Sequence, residues 1–431
     1  MKILIVGAGG REHVLAETYS KNKNVEVVFV APGNDFMTAT TPKIKTLPEI
    51  HQLDLEKILV FAKREKVDLV DVAMDDPLSL GAVDLLERHG IQTFGPTKKA
   101  AEIEWSKAWS REFMKKYHLP MPEYKVFTSQ KDAVAYLKKL PDRPYFVKAS
   151  GLALGKGALY AGNKIEAIDA VSQMQGFGDA GKAFLIEECM VGEEFSLFAI
   201  CDGKTYRILG DAQDHKRALD GDQGLNTGGM GCVSPTGVLT PKRIKDIEKT
   251  ILLPFMRGMR EEKRPYTGIL YVGGMVTNKG IQLVEFNARW GEPEAEVILT
   301  GIKNDYLELV LSATHQVLHK TRIAADNKIR LSIAGCARGY PTDYTAVKNK
   351  KIFGLETVMK LPGVSVFGAG MKKTGKMYVV SGGRVFHLVG EGATIQQARE
   401  RAYAAMSHVF IEGNNLQYRS DIGWREIERT I

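Results

Sequence analysis

Apolar residues fill positions 2–6 and stop at Gly7-Ala-Gly-Gly-Arg-Glu12. A helical spacing then carries on to about residue 21. Strand-length apolar runs recur at 25–30, 67–72 and 91–94. Each ends on a turn: Ala31-Pro-Gly-Asn34, Ala73-Met-Asp-Asp-Pro77 and Gly95-Pro-Thr97. Between these runs, amphipathic spacing predicts helices over 55–65 and 80–89. Strand–helix alternation of this kind predicts a parallel sheet. Ligands of such sheets sit outside the carboxyl ends of the strands. That rule gathers Gly9, Gly10, Arg11, Asn34, Asp75 and Pro77 at one crevice.

The pattern changes after a helix over 100–117, which carries Lys107 inside it. Leu119-Pro-Met-Pro122 ends that helix and marks a boundary. Strands are predicted at 144–150, 158–160, 183–188 and 195–200, and a helix over 242–263. Two strands at 268–276 and 281–287 pair around Asn278-Lys-Gly280, and a helical stretch begins at Glu294. From residue 328 the texture becomes short strands and turns, with a helix over 394–409. The expected fold class is α/β and α+β multidomain. An N-terminal parallel α/β part covers 1–100, a central part 101–327, and a small C-terminal α+β closing part 328–431.

A chain of 431 residues is too long for one ordinary core. At 44% hydrophobic and 26% charged residues it has a soluble globular balance. The net charge of +8 favours anionic ligands. The basic residues are dispersed, which points to phosphorylated small molecules and away from nucleic acid. Four scattered cysteines without metal spacing read as reduced thiols of a cytoplasmic protein. The opening apolar run is too short for a leader, and no stretch is long enough to span a membrane.

The segment Leu283-Val-Glu-Phe-Asn-Ala-Arg-Trp-Gly-Glu-Pro-Glu294 carries the densest chemistry. On a strand, Glu285, Asn287 and Arg289 share one face. A carboxylate beside an amide oxygen makes a hard corner suited to Mg²⁺, and Arg289 is a fork donor for carboxylate or phosphate. The competing reading is a solvated Glu285–Arg289 pair. The glycine turn at 7–10 departs from a dinucleotide fingerprint, because Glu12 stands at its last glycine position. It reads either as a phosphate-holding turn with Arg11 beside it or as a plain strand–helix turn. Gly151-Leu-Ala-Leu-Gly-Lys-Gly157 lies between two strands. It reads as a flap that sets Lys156 on phosphates or as an ordinary glycine hairpin. Lys148, flanked by Val147 and Ala149, needs an anionic partner if it points inward. Glu187 and Glu194 could serve adenosine, or be solvated edge residues. Asp211-Ala-Gln-Asp-His-Lys-Arg217 and Asn226-Thr-Gly-Gly-Met-Gly231 bracket a polar loop over 218–225. Its donors suit a carboxylate becoming an acyl phosphate. His215 within it is a base or a hydrogen-bonded spacer.

With these landmarks the chain resembles the glycinamide ribonucleotide synthetase (phosphoribosylamine–glycine ligase) family of the ATP-grasp superfamily. The resemblance runs through Gly9-Gly-Arg-Glu-His13, Ala31-Pro-Gly-Asn34, Phe94-Gly-Pro-Thr-Lys98, Ser106-Lys107, Gly151-Leu-Ala with Gly155-Lys-Gly157, and Glu187-Glu188. It continues through Gly192-Glu-Glu194, Gln213-Asp-His-Lys-Arg217, Asn226-Thr-Gly-Gly-Met-Gly231, Glu285-Phe-Asn287 and Ser381-Gly-Gly-Arg-Val385. It implies an N-terminal phosphosugar-binding domain, a central ATP-grasp domain with a lid over about 123–190, and a C-terminal domain closing the cleft. It also implies a reaction of purine synthesis. ATP activates glycine as glycyl phosphate, and 5-phosphoribosylamine then displaces phosphate. Lys107, Lys148 and Lys156 would hold the ATP phosphates, Glu187 and Glu194 adenosine, and Glu285 and Asn287 a Mg²⁺ or Mn²⁺ ion. Arg289, Asp214 and Lys216 would serve the reacting carboxylate. Gly10, Arg11, Glu12, Asn34, Asp75, Asn226, Gly229 and Arg289 would contact substrates. A monomer or weak homo-oligomer is expected, without nucleic acid or membrane partners.

The chain departs from the family pattern at Ala73-Met-Asp75 (Gly-Pro-Glu is usual), Ser150 (Asp) and Leu225 (Pro). Glu292-Pro-Glu-Ala-Glu296 replaces Asp-Pro-Glu-Thr-Gln, and Gly368 replaces His. The rival readings are an ATP-grasp ligase with another carboxylate–amine pair, a non-catalytic nucleotide-binding protein, and a dinucleotide oxidoreductase.

Overall fold

The computed structural model describes residues 1–153 and 156–430. The N-terminal strands Lys2–Gly7, Val27–Pro32, Ile44–Thr46, Leu69–Val72 and Thr93–Phe94 form a parallel sheet. Across the sheet they run Ile44–Thr46, Val27–Pro32, Lys2–Gly7, Leu69–Val72, Thr93–Phe94. The order reverses direction beside Lys2–Gly7, so the crevice opens between the ends of Lys2–Gly7 and Leu69–Val72. The short strand Ile44–Thr46 has one buried residue, Ile44, and is too weakly patterned to read from sequence. The helix expected over 80–89 spans Ala82–Arg88, and a further short helix, Asp75–Leu80, precedes it across Gly81 with φ +91°.

The expected continuous helix over 100–117 is also broken, into Lys98–Trp105 and Lys107–Lys116. Ser106 between them is extended, and its hydroxyl accepts from the Trp109 N–H, supplying one of the bonds that a helix start lacks. Lys107 therefore opens a helix instead of lying inside one. Ser150 completes the junction: its carbonyl accepts from the Lys107 N–H at 2.9 Å, and its hydroxyl from the Ala108 N–H at 3.0 Å.

Four antiparallel strands, Tyr124–Phe127, Phe184–Glu188, Tyr145–Ala149 and Ala158–Ala161, form the lid sheet. Helices Gln130–Lys139 and Lys164–Gln173 cover it. Ser129 and Asn163 cap them, and they bury Ala133 and Leu137, and Ala167, Ala170 and Val171. At residues 189–191 the chain crosses from this sheet into the strand Gly192–Asp202 of a second, nine-stranded antiparallel sheet. That sheet runs through Gly280–Asn287, Thr267–Thr277, Gly192–Asp202, Tyr206–Asp214 and Gly231–Ser234. It continues through Ile329–Ala337, Arg384–Gly392 and Val364–Gly368, and the ninth strand, Leu416–Gln417, pairs with Ile329–Ala337 off this path. The C-terminal α+β part is thus welded on: Gly231–Ser234 pairs with Ile329–Ala337, and one sheet crosses residue 328. A change of sequence texture cannot show a backbone ladder formed between distant segments. The loop expected over 218–225 is mostly a ribbon of Arg217–Leu219 and Gln223–Asn226.

Candidate active site

The face of the Gly280–Asn287 strand and the lid sheet enclose a cleft of about 460 Å³, the size of small-molecule sites. Lys107, Lys148, Glu187, Glu194, Asp214, Lys216, Asn226, Glu285, Asn287 and Arg289 all line it. Asp75 joins Lys107, Lys148, Glu285, Asn287 and Arg289 in an adjoining hollow. Residues from five distant stretches of chain therefore share one space.

Glu285 sits at its centre. Burial works against its charge, but Lys216, Lys107, Lys148 and Arg289 outweigh burial and hold the carboxyl below its ordinary range. Asn287 beside it is buried, and its Nδ2 has no partner among the described residues. Its Oδ1 stands 3.4 Å from Arg289 Nη2. An ionised carboxylate and an amide oxygen on one strand suit a hard divalent cation. The reading of Glu285 and Arg289 as a simple solvated pair fails. Arg289 instead reaches Glu104 at 2.9 Å, with Asp75 at 3.9 Å. Glu104 also accepts from the Ala288 N–H at 2.7 Å.

Lys148 Nζ lies 2.7 Å from Glu187, so the lysine does point inward onto an anion. Arg111 grips the same carboxylate twice, at 2.7 and 3.0 Å. Glu187 is 2% exposed and fully engaged. Through these contacts it fixes Lys148 and joins lid to core. Glu194 remains part-exposed at the cleft and meets Lys216 at 3.2 Å. Lys216, drawn mainly by Glu194, stays firmly charged. Lys156 is exposed on the flap beside Gly157, which lines the cleft, and the lysines that line it are Lys107, Lys148 and Lys216. The flap motif also includes Leu154 and Gly155, which lie outside the described residues.

Asp214 is buried against Glu294. Burial first, and then that neighbour's charge, push its carboxyl well above the usual range, with Lys216 opposing. Its Oδ1 has no hydrogen-bond partner among the described residues. Gly229 has φ +118°, and a Cβ there would fall 2.9 Å from Asp214 Oδ1 and 2.7 Å from Pro293. Gly229 therefore shapes the wall behind the cleft. Arg384 holds this turn: it donates to the Gly228 carbonyl and to the Glu292 carbonyl, the latter at 2.7 Å. His215 is a spacer. Its Nδ1 lies 3.3 Å from the Gly231 carbonyl and its Nε2 accepts from the Gly423 N–H. Burial, with Arg419 and Arg425, lowers it to about 4. The acids of the ribbon are taken up by the C-terminal segment, as in Asp222 with Arg419 and Arg425.

At the N-terminal crevice, Gly10 and Arg11 open the first helix, and the Arg11 N–H donates to Glu292 at 3.1 Å. Arg11 and Glu12 pair with each other in the interior, and Glu12 accepts from the Gly9 N–H at 2.6 Å. Asn34 acts here as a structural pin. Its amide donates to the Ala8 and Gly368 carbonyls, both at 2.8 Å, and its oxygen accepts from the Phe36 N–H. Gly368 must be small here, since a Cβ would fall 2.8 Å from Asn34 Oδ1.

Sequence reading gave no role to Glu104, Arg111 or Glu292, and took Arg384, within Ser381-Gly-Gly-Arg-Val385, as a candidate structural pair before a substrate contact. The first two lie on the separate helices Lys98–Trp105 and Lys107–Lys116, beside the apolar positions Ala100, Ile103, Phe113 and Met114 that those helices bury. The other two act through a tertiary contact without local pattern.

A lid sheet facing a large antiparallel sheet, with Lys148 from one and an acid–amide corner from the other, defines an ATP-grasp ligase. The phosphoribosylglycinamide synthetase N domain matches residues 1–104, its ATP-grasp (A) domain 105–295 and its C domain 331–425. The chain belongs to the phosphoribosylglycinamide synthetase family. It is 39% identical over 431 residues to the phosphoribosylamine–glycine ligase of Brucella melitensis, covering 100% of this chain and 99% of that one. It is likewise 39% identical over 435 residues to that of Halalkalibacterium halodurans, with the same coverage. The crystal structure of the phosphoribosylamine–glycine ligase of Thermotoga maritima superposes with TM-score 0.82 at 31% identity, covering 98% of this chain and 100% of that one.

Proposed function

We propose that this protein joins glycine to 5-phosphoribosylamine at the expense of ATP, giving glycinamide ribonucleotide, ADP and phosphate in purine biosynthesis. One observation carries the reading: an ionised Glu285 faces Lys107, Lys148, Lys216 and Arg289 in one cleft. The relatives named above support the substrates. Lys107 and Lys148 bind the ATP phosphates, and Glu194 the adenosine side. Glu285 and Asn287 would hold Mg²⁺ or Mn²⁺, which supplies charge neutralisation at the transferring phosphoryl group. Lys156 closes onto the phosphates from the flap.

A glycine carboxylate oxygen attacks the γ-phosphorus and ADP leaves. Arg289, set by Glu104, orients that carboxylate, and Asp214 and Glu294 face its ammonium group. The phosphoribosylamine nitrogen then attacks the acyl carbon, phosphate leaves, and an amide remains. No side chain serves as nucleophile; positioning and electrostatics carry the catalysis. Gly10, Arg11, Glu12 and Asp75 border the acceptor, and Asn226 and Gly229 the amino acid. A reducing, cytoplasmic setting belongs to the proposal, in keeping with four unpaired cysteines.

The test is product analysis with labelled glycine. Label appearing in glycinamide ribonucleotide, with one ADP per product, supports the reading. ADP release that ignores both glycine and phosphoribosylamine removes it.

A further inference from the structure

At the edge of the cleft, which Glu292 lines, Glu292, Glu296 and His387 turn toward one another. Glu292 and Glu296 flank the start of the helix Glu294–Ile298, and His387 comes from the strand Arg384–Gly392. Glu296 and His387 are fully buried. Neither carboxylate oxygen of Glu296 and neither ring nitrogen of His387 has a hydrogen-bond partner among the described residues. Bare buried acids and imidazoles are costly and call for a partner.

The spacing says which partner fits. His387 Nε2 lies 3.4 Å from Glu292 Oε1 and 3.8 Å from Glu296 Oε1. One donor from each of the three residues lies within 4.8 Å of the others. These distances exceed those of N–H···O hydrogen bonds. Bonds of about 2.0–2.2 Å to a tetrahedral ion set ligands roughly 3.3–3.5 Å apart: the Glu292–His387 pair stands at that spacing, and Glu296 lies a few tenths of an ångström beyond it. One imidazole and two carboxylates, without thiolate, select a divalent ion of the zinc class over copper(I) or an iron–sulfur cluster. Behind the ligands, Arg384 Nη2 lies 2.9 Å from Glu292 Oε1, and the Arg11 N–H donates to Glu292 Oε2. Such outer contacts orient a ligating carboxylate. Gly10 borders the group: a Cβ there would fall 2.4 Å from Glu296 Oε1 and 2.6 Å from His387 Cδ2.

We infer that Glu292, Glu296 and His387 form a buried structural Zn²⁺ site, separate from the Glu285–Asn287 corner. The ion ties the start of the first helix, the Glu292–Glu296 segment and a C-terminal strand together. Water or a backbone group completes its coordination.

The tag-free full-length chain, free of nucleotide and Mg²⁺, is incubated with ZnCl₂ or CoCl₂. After gel filtration its metal content is measured by mass spectrometry, and the cobalt form by visible absorption. One ion per chain is expected, with the intense cobalt bands of tetrahedral coordination. Glu296→Gln, which keeps shape and volume, and His387→Ala should each lower retention at least ten-fold. Glu285→Gln should retain the full amount. A wild-type chain that keeps no ion overturns the assignment. So does full retention in Glu296→Gln, which decides the matter even if His387→Ala does not fold.

Discussion

Glu104 lies 2.9 Å from Arg289 and holds it from a helix that precedes it by most of the central domain. Its other oxygen takes the Ala288 N–H, so the acid fixes both the guanidinium and the backbone that carries it. Arg289 keeps its charge against burial because of Glu104 and Asp75. Glu104→Gln keeps the shape and loses the charge. Its kcat/KM for glycine should fall about 10- to 100-fold, the range for a displaced charged donor, while KM for ATP changes little. Steady-state kinetics with each substrate varied in turn checks this. An equal change in both KM values would mean a general loss of cleft shape.

Glu285→Ala should remove more than about 99% of turnover, as expected when the group that places a phosphoryl-neutralising cation is lost. The fold should survive, because the strand keeps its ladder to Thr267–Thr277. Turnover assays and circular dichroism read the two effects separately. Unchanged activity in this variant would take the metal role away from Glu285.

The Glu187 carboxyl is a pH-dependent strut. Burial alone would raise it, but Arg111 and Lys148 bring it down from 4.5 to about 2. A depressed folded-state value gives stability that is present above pH about 4.5 and lost as pH falls toward 2. The shift corresponds to an order of 3 kcal/mol. Denaturant titrations of wild type should lose stability over that window. Glu187→Gln should be less stable at pH 7 and flatter across the window.

Gly229→Ala is expected to destabilise by about 2 kcal/mol, since an L side chain at φ +118° is strained and its Cβ meets Pro293. Activity should fall further than stability, because the displaced turn carries the wall beside Asp214. A thermal melt combined with a glycine titration separates the two.

Legibility in the sequence followed locality. The strand Gly280–Asn287 and its partner showed in their alternation and in the turn between them, and with them the shared face of Glu285 and Asn287. Helix 55–65 was legible from its apolar stripe, Ile58, Leu59, Phe61 and Ala62. Ser106 was harder: a hydroxyl can sit in a helix or start a new one, and only the Ser150 contacts decide for the start. Asn34 looked like a substrate contact because it ends a strand at the crevice. What no local pattern shows is that its amide donates to the carbonyls of Ala8 and of Gly368, the latter more than three hundred residues away.

By itself the sequence determined the layered plan and the residue types that a nucleotide-dependent ligase needs, because strand and helix periodicities and side-chain chemistry are local properties. Tertiary structure decided which charges meet. It gave Glu187 to Arg111 and Lys148, put Lys216 in the cleft while Lys156 stayed on the flap, and ran one sheet through the C-terminal part. Those outcomes depend on distances between segments far apart in the chain, and burial turns such distances into fixed partners by making an unpaired charge costly.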